Sequence, residues 1–275
     1  MENPMTDQPY LDLNDGRRMP QFGLGVWQTP ADEAAKVVVA ALDAGYVHVD
    51  TAAAYLNEKG VGQAVAGREV FVTTKLWNGD QGYDETLKAF DASLGRLKLE
   101  AVDLYLIHWP APRKDRYVDS WRALVRLREE GRAKSIGVSN FNEDHLRRIV
   151  DATGVTPAVN QIELHPRFQQ RALRRVHDEM GIRTESWSPL GRAQFLDEPT
   201  IKSVAEKHGK SPAQVIIRWH LDSGLIVIPK SVRPERIREN IEVFDFKLDA
   251  DDMQAIAGLD AADGRIGPDP ATADF

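Results

Sequence analysis

Strand-like and helix-like segments alternate along this chain almost without a break, and that alternation limits its fold more than any other feature. After Phe22-Gly-Leu-Gly25 the pattern runs helix 31–44, strand 46–50, helix 57–66, strand 70–75, helix 84–98, strand 102–108 and helix 117–130. It continues with strand 134–138, helix 143–152, strand 158–162, helix 169–180, strand 183–187, helices near 199–208 and 212–222, strand 225–229, and helices 233–240 and 249–257. The strands are short apolar runs and the helices carry apolar residues at helical spacing. About eight strands, each followed by helix, is the count of a (β/α)8 TIM barrel. The rival α/β architecture, an open doubly wound sheet, is expected to carry a Gly-rich phosphate turn after its first strand. No G-x-G-x-x-G occurs in the chain, and Gly23-Leu-Gly25 leads into Val26-Trp27-Gln28-Thr29-Pro30 with no helix starting at the second glycine. The expected fold is therefore one barrel domain over residues 1–275, with two additions. Tyr10-Leu-Asp-Leu, Asn14-Asp15-Gly16 and Arg17-Arg-Met-Pro have the chemistry of an N-terminal β-hairpin that caps one end. A Gly/Asp/Pro/Ala-rich tail, 260–275, suits a loop or cover over the active site.

Composition narrows the partners. A net charge of −7, a pI near 5.6 and the lack of any Lys/Arg run argue against nucleic acid and anionic membranes and leave a small molecule. With no cysteine, disulfides, thiolate catalysis and Cys-based metal sites are excluded. The start, Met1-Glu-Asn-Pro-Met-Thr-Asp7, has acid where a signal peptide needs a basic and then an apolar run, and no apolar stretch spans a bilayer. The expected location is cytoplasmic.

The chemistry gathers at strand ends. Val47-His48-Val49 leads to Asp50, with Tyr55 on the following loop; Val70-Phe-Val-Thr-Thr leads to Lys75, and Val102-Asp-Leu-Tyr-Leu-Ile to His108. Parallel strands would bring all four to one mouth. A lysine ending a buried strand needs a carboxylate partner, and Asp50 is the obvious one. Such an ammonium beside Tyr55 is expected to lower the phenol pKa from about 10 and make it a general acid toward a carbonyl oxygen. His108 would donate a hydrogen bond to the same oxygen. Other readings stay open on residue types alone: a structural Asp–Lys pair, or a phosphate-binding isomerase or lyase barrel that uses strand-end Lys and His. His48 and Asp50 share a strand face, but further His ligands for a metal hydrolase are missing, so His48 reads as core. Gly137-Val-Ser139-Asn140 is not a nucleophile elbow. Trp121 and Trp219 fall in helical patterns and read as core; Trp27, Trp77 and Trp109, with Phe22, read as an apolar substrate pocket.

Asp50, Tyr55, Lys75 and His108 together resemble the catalytic tetrad of the aldo-keto reductases. Gly45-Tyr46-x-His48-Val49-Asp50-Thr51-Ala52 with Glu58-x-x-Val61-Gly62, Lys134-Ser-Ile-Gly-Val-Ser-Asn-Phe141, and Ile228-Pro-Lys-Ser-x-x-x-x-Arg236-x-x-Glu-Asn240 resemble that family's signatures in order. The likeness covers nearly the whole chain and is nearest to bacterial 2,5-diketo-gluconate reductases, through Phe22, Trp77-Asn78, His108-Trp109-Pro110, Trp187 and Ile241-Glu-Val-Phe-Asp-Phe246. It departs from the common pattern at Val47, for Arg, at Leu56, for Gly, and in a short 65–70 segment, which is expected to alter an outer loop. The resemblance implies a barrel, often monomeric, that transfers hydride from NADPH to an aldehyde or ketone without a metal. Keto-sugar acids, α-dicarbonyls and small aldehydes are the substrate classes it leaves open. Some relatives are instead non-catalytic, redox-sensing NADPH-binding subunits, against which the intact tetrad argues.

For the cofactor, Trp187 offers a flat face to a nicotinamide ring, and Ser139, Asn140 and Gln161 could hold its carboxamide. Leu190-Gly191-Arg192 would pass the pyrophosphate. Lys230-Ser231-Val232-Arg233 with Arg236 gathers cations and a hydroxyl for an added phosphate. In the family, the positions matching Lys230, Ser231 and Arg236 bind the 2′-phosphate, and those matching Glu239 and Asn240 the adenine.

Overall fold

The computed structural model describes residues 8–273 and 275; the acidic start Met1 to Asp7 lies outside the described residues. Eight strands lie parallel in chain order: β3 (Leu24–Gly25), β4 (His48–Asp50), β5 (Phe71–Leu76), β6 (Val102–Ile107), β7 (Ala133–Ser139), β8 (Val159–Glu163), β9 (Arg183–Trp187) and β10 (Ile226–Val227). Parallel bridges Phe22↔Val227 and Gly25↔Lys230 join the first strand to the last and close the sheet into a barrel. The last strand is shorter than its apolar run because Pro229 has no N–H to donate; it only accepts, from Gly25 N at 3.2 Å.

Helices cover the outside: α1 (Ala34–Asp43), α2 (Glu58–Val65), α3 (Tyr83–Leu97), α4 (Tyr117–Glu129), α5 (Glu143–Thr153), α6 (Arg171–Met180), α7 (Pro199–His208), α8 (Pro212–Asp222), α9 (Pro234–Ile241) and α10 (Ala250–Ala257). Their starts are set locally. Ser211 and Gln214 form a capping box ahead of Pro212, and Asp249 with Asp252 does the same for α10. Trp121 and Trp219 are buried between helices and barrel, as their helical spacing predicts, and the Trp121 indole N–H lies 3.1 Å from Thr153 Oγ1. A fully buried side chain of the Leu or Phe kind contributes about 1.5–3 kcal/mol, so this shell holds the barrel rigid around its mouth.

At the opposite end, β1 (Tyr10–Asp12) and β2 (Arg18–Pro20) pair antiparallel with Leu11 opposite Met19. Leu13 and Met19 join Leu104, Leu106, Val159 and Ile226 in one apolar cluster. The hairpin thus plugs the barrel floor, and access is left to the carboxyl ends of the strands.

Candidate active site

Asp50 ends β4, and the β4–β5 register sets it opposite Thr73, two residues before Lys75. Side chains two apart on a strand share a face, so Lys75 is carried to the same interior layer. Its Nζ lies 2.6 Å from Asp50 Oδ1, 3.0 Å from the Thr51 carbonyl and 3.5 Å from Tyr55 Oη, which occupies all three ammonium hydrogens. Burial pulls the Lys75 pKa down, but the Asp50 charge, Tyr55 and Glu185 outweigh it and hold the group above its ordinary value. Burial lifts the Asp50 carboxyl by more than Lys75 lowers it. The same balance corrects the sequence expectation for Tyr55: burial raises its phenol more than Lys75 lowers it, so the net shift is upward. The phenol therefore holds its proton at neutral pH.

Tyr55 closes a short 3-10 turn, Ala53–Tyr55, and Asn57 fixes that turn to the barrel. The buried Asn57 amide accepts from Thr51 Oγ1 at 2.8 Å and donates to the Val26 and Thr29 carbonyls at 2.9 and 3.2 Å. Between them Leu56 stands 81% exposed in the left-handed region, φ 58°, where glycine is at ease. His108, just past β6, has its ring centroid 5.6 Å from that of Tyr55 and 5.4 Å from that of Trp77. Burial, then the Lys75 charge, hold its imidazole well below the usual histidine range, so it is neutral. His48 is buried with Nε2 3.1 Å from Thr73 Oγ1, a core position.

The residues expected to meet a nicotinamide form one hydrogen-bonded chain. Trp187 Nε1 donates to Asn140 Oδ1 at 2.8 Å, and Asn140 Nδ2 donates to the His108 carbonyl and to Ser139 Oγ, both at 3.0 Å. Ser139 Oγ donates to the Gln161 carbonyl at 2.8 Å. Gln161 Nε2 then donates to Asp50 Oδ2 and to Glu185 Oε2, each at 2.8 Å. Glu185 was not singled out from sequence. Its one signal was the spacing of two from Trp187, which sets both on one face of β9.

Trp27, Trp77 and Trp109 stand at the mouth. Trp27 is 39% exposed and lies beneath the Arg192 guanidinium, 5.2 Å from its centroid. Phe22 does not join them: it is wholly buried and packs on Tyr46 and Phe244 between barrel and helices. Its bridge to Val227 places it at the start of the first barrel strand, whereas Trp27 follows the strand's end. The tail supplies an aromatic that sequence reading did not name. Phe275 stacks on Trp77, centroids 6.0 Å apart, and meets Trp109 edge-on at 5.2 Å, while its backbone oxygen accepts from Asn78 Nδ2. Upstream, the backbone N–H groups of Ile266 and Gly267 donate to the Glu163 carboxylate at 2.6 and 2.8 Å. A Cβ on Gly267 would fall 2.4 Å from the Trp187 ring, so only glycine lets the tail pass there.

Toward the other end of the groove, Lys230, Arg233 and Arg236 are exposed and their side chains have no carboxylate partner among the described residues. Ser231 is buried and its hydroxyl takes the Arg233 N–H at 3.1 Å. Val232 and Leu190 are half-buried against the core, Gly191 and Asn240 are buried, and Glu239 is half-buried on α9.

Three comparisons bear on this geometry. The sequence profile of the Aldo/keto reductase family matches residues 19–261. The methylglyoxal reductase DkgA of Escherichia coli (strain K12) is 51% identical over 273 residues, covering 97% of this chain and 98% of that protein. An aldo-keto reductase of Mycolicibacterium smegmatis is 56% identical over 272 residues, with the same coverage. Among solved structures, Gox0644 superposes with a TM-score of 0.96 at 59% identity, over 98% of this chain and 99% of that one; it has been solved at apoform and as a mutant in complex with NADPH.

Proposed function

The chain belongs to the aldo/keto reductase family, and on that premise we propose that it reduces small carbonyl compounds with NADPH, α-dicarbonyls such as methylglyoxal foremost. The observation that carries this reading is the Lys75 ammonium, 2.6 Å from Asp50 and 3.5 Å from the Tyr55 hydroxyl, at the carboxyl ends of the strands. Tyr55 gives its proton to the substrate's carbonyl oxygen. Lys75, kept cationic by Asp50, stabilises the phenolate that this leaves. Neutral His108, its ring beside Tyr55, donates to the same oxygen and orients the carbonyl. NADPH supplies the hydride that the carbonyl carbon receives, so hydride and proton together give the alcohol.

The residues present fit that cofactor. Trp187, its plane fixed by Asn140, offers a face to the nicotinamide, and Lys230, Ser231 and Arg236 offer unpaired charge and a hydroxyl to the 2′-phosphate. Leu190 and Gly191 would line the pyrophosphate path, with Val232 and Arg233 beside the 2′-phosphate and Glu239 and Asn240 at the adenine. The α-dicarbonyl preference rests on the relative's name and on the aromatic walls of Trp27, Trp77, Trp109 and Phe275 with few polar anchors for a larger sugar acid. Family membership displaces the isomerase or lyase reading, and the complete tetrad supports catalysis over redox sensing. The test is loss of NADPH absorbance on adding methylglyoxal, a keto-sugar acid and an aromatic aldehyde in turn. The expected order puts methylglyoxal first; no NADPH consumption with any of them would refute a catalytic role.

A further inference from the structure

We propose that Glu185 is a positioning residue for the nicotinamide end of the groove. It accepts one amide hydrogen of Gln161 while Asp50 accepts the other, and so leaves only the amide oxygen of Gln161 to meet a bound ring carboxamide. This rests on the reading of Gln161 as a cofactor contact. Both bonds measure 2.8 Å, and the Asp50 carboxylate, paired with Lys75, can take a hydrogen but not supply one to an inverted amide. Flipping Gln161 would set its oxygen against the Asp50 carboxylate, so the amide keeps its hydrogens toward Asp50 and Glu185 and its oxygen away from Asp50. The register Gln161↔Glu185 holds the two side chains adjacent across β8 and β9.

The carboxyl of Glu185 is wholly buried, and its second oxygen, Oε1, has no hydrogen-bond partner among the described residues; His48 Nε2 lies 4.0 Å from it. The groups facing it are Gln161 from β8, Asp50 and His48 from β4, and Lys75 from β5, while from β10 it is opposed by apolar Ile226. Lys75 is committed to Asp50. His48 is held down to about 3, by burial first and then by Lys75, and so brings no positive charge. Burial, then the Asp50 charge, push the Glu185 carboxyl up to about 8 against the lowering by Gln161 and Lys75. Below that pH Glu185 is neutral beside the Lys75–Asp50 ion pair. Above it, a second negative charge enters beside Asp50 without a partner, and the Tyr55 phenol, already raised, holds its proton still more tightly. Carbonyl reduction should therefore decline above about pH 8 through Glu185, below the range in which Tyr55 itself ionises.

Two variants separate the roles. Glu185→Gln keeps an acceptor oxygen and the shape but cannot ionise. Its NADPH Kd, read by quenching of tryptophan fluorescence, should stay within about twofold of the parent, while the alkaline limb of kcat/KM moves up by about one pH unit or more. Glu185→Leu keeps the volume but removes the acceptor. It should raise the Kd for NADPH and NADH alike by about three- to tenfold, because the two cofactors share the nicotinamide end. An alkaline limb unmoved in Glu185→Gln, or parental Kd values for both cofactors in Glu185→Leu, overturns the proposal. If Glu185→Leu does not fold, the limb of Glu185→Gln decides alone. A parent protein that fails to bind NADPH would instead overturn the cofactor reading, so the two failures are distinguishable.

Discussion

Replacing Lys75 by Met should uncouple stability and chemistry in a way that follows from one ion pair. Lys75 is 0% and Asp50 2% exposed, and their contact of 2.6 Å is the only ion pair of either charge among the described residues. Removing one partner of such a pair leaves a buried charge without compensation, at a cost of about 3–5 kcal/mol. The side chains are close in length, so lost packing adds little. The cost has a ceiling, because Asp50 can take up a proton. Its carboxyl is already raised by burial, and without Lys75 it rises further. A carboxyl whose pKa is higher in the folded than in the unfolded chain loses stability as pH climbs between the two values. Lys75→Met should thus recover stability, by at most about 1.4 kcal/mol per unit, as pH falls toward the ordinary carboxylate range. The double variant Lys75→Met with Asp50→Asn should regain much of the loss at pH 7, since the stranded charge is gone. Catalysis should not recover, because the phenolate of Tyr55 has lost its cation in both proteins. Urea unfolding at two pH values, beside NADPH oxidation with methylglyoxal, reads all of this. A single variant within about 1 kcal/mol of the parent at pH 7, with no pH dependence, would show that the pair carries no such burden.

Tyr55→Phe should lower carbonyl reduction by at least about 10²-fold while the NADPH Kd stays near the parent value, since the hydroxyl acts on substrate alone; turnover within a few-fold of the parent would remove Tyr55 as the acid. Lys230→Gly with Arg236→His should weaken NADPH by roughly ten- to a thousandfold and NADH little, with added salt acting in the same direction; equal loss for both cofactors would withdraw the 2′-phosphate assignment. Leu56→Gly should hold or raise stability by up to about 1 kcal/mol, because the leucine is 81% exposed at φ 58° and has strain to lose but little burial. A fall of more than about 1 kcal/mol in denaturant unfolding would mean that Leu56 makes contacts its exposure conceals.

The barrel was legible because its evidence is local. Strand runs such as Val102-Asp-Leu-Tyr-Leu-Ile and capped starts such as Ser211-Pro212 state their own conformation, and their order leaves few ways to arrange them. Asp50, Lys75 and His108 could be named because each follows an apolar run. What stayed hidden depends on distance across the closed sheet. Phe22 and Trp27 are both aromatic and five residues apart; only the Phe22↔Val227 bridge tells which end of the barrel each occupies. Asp50 and Gln161 are separated by 111 residues in the chain and joined by one hydrogen bond, so nothing near either predicts the other. The shift of the Tyr55 phenol had the right partner and the wrong sign for the same reason. The charge beside it can be read from a motif, whereas the burial that outweighs it is a property of the whole fold.

The same contrast runs along the groove itself. At the nicotinamide end the amide hydrogens of Asn140 and Gln161 and all three hydrogens of Lys75 are already spent inside the protein, so little there is free to strengthen on binding. At the far end Lys230 and Arg236 stand exposed without carboxylate partners among the described residues. On the proposed cofactor placement, affinity should come mainly from the remote phosphate, where charge-assisted contacts replace water, while the reacting end supplies shape and orientation. Such a division leaves the saturated end rigid and committed to the transition state, as differential binding requires. It also explains why salt and surface substitutions should act on affinity, while buried substitutions at Lys75 or Glu185 should be felt through protonation and geometry.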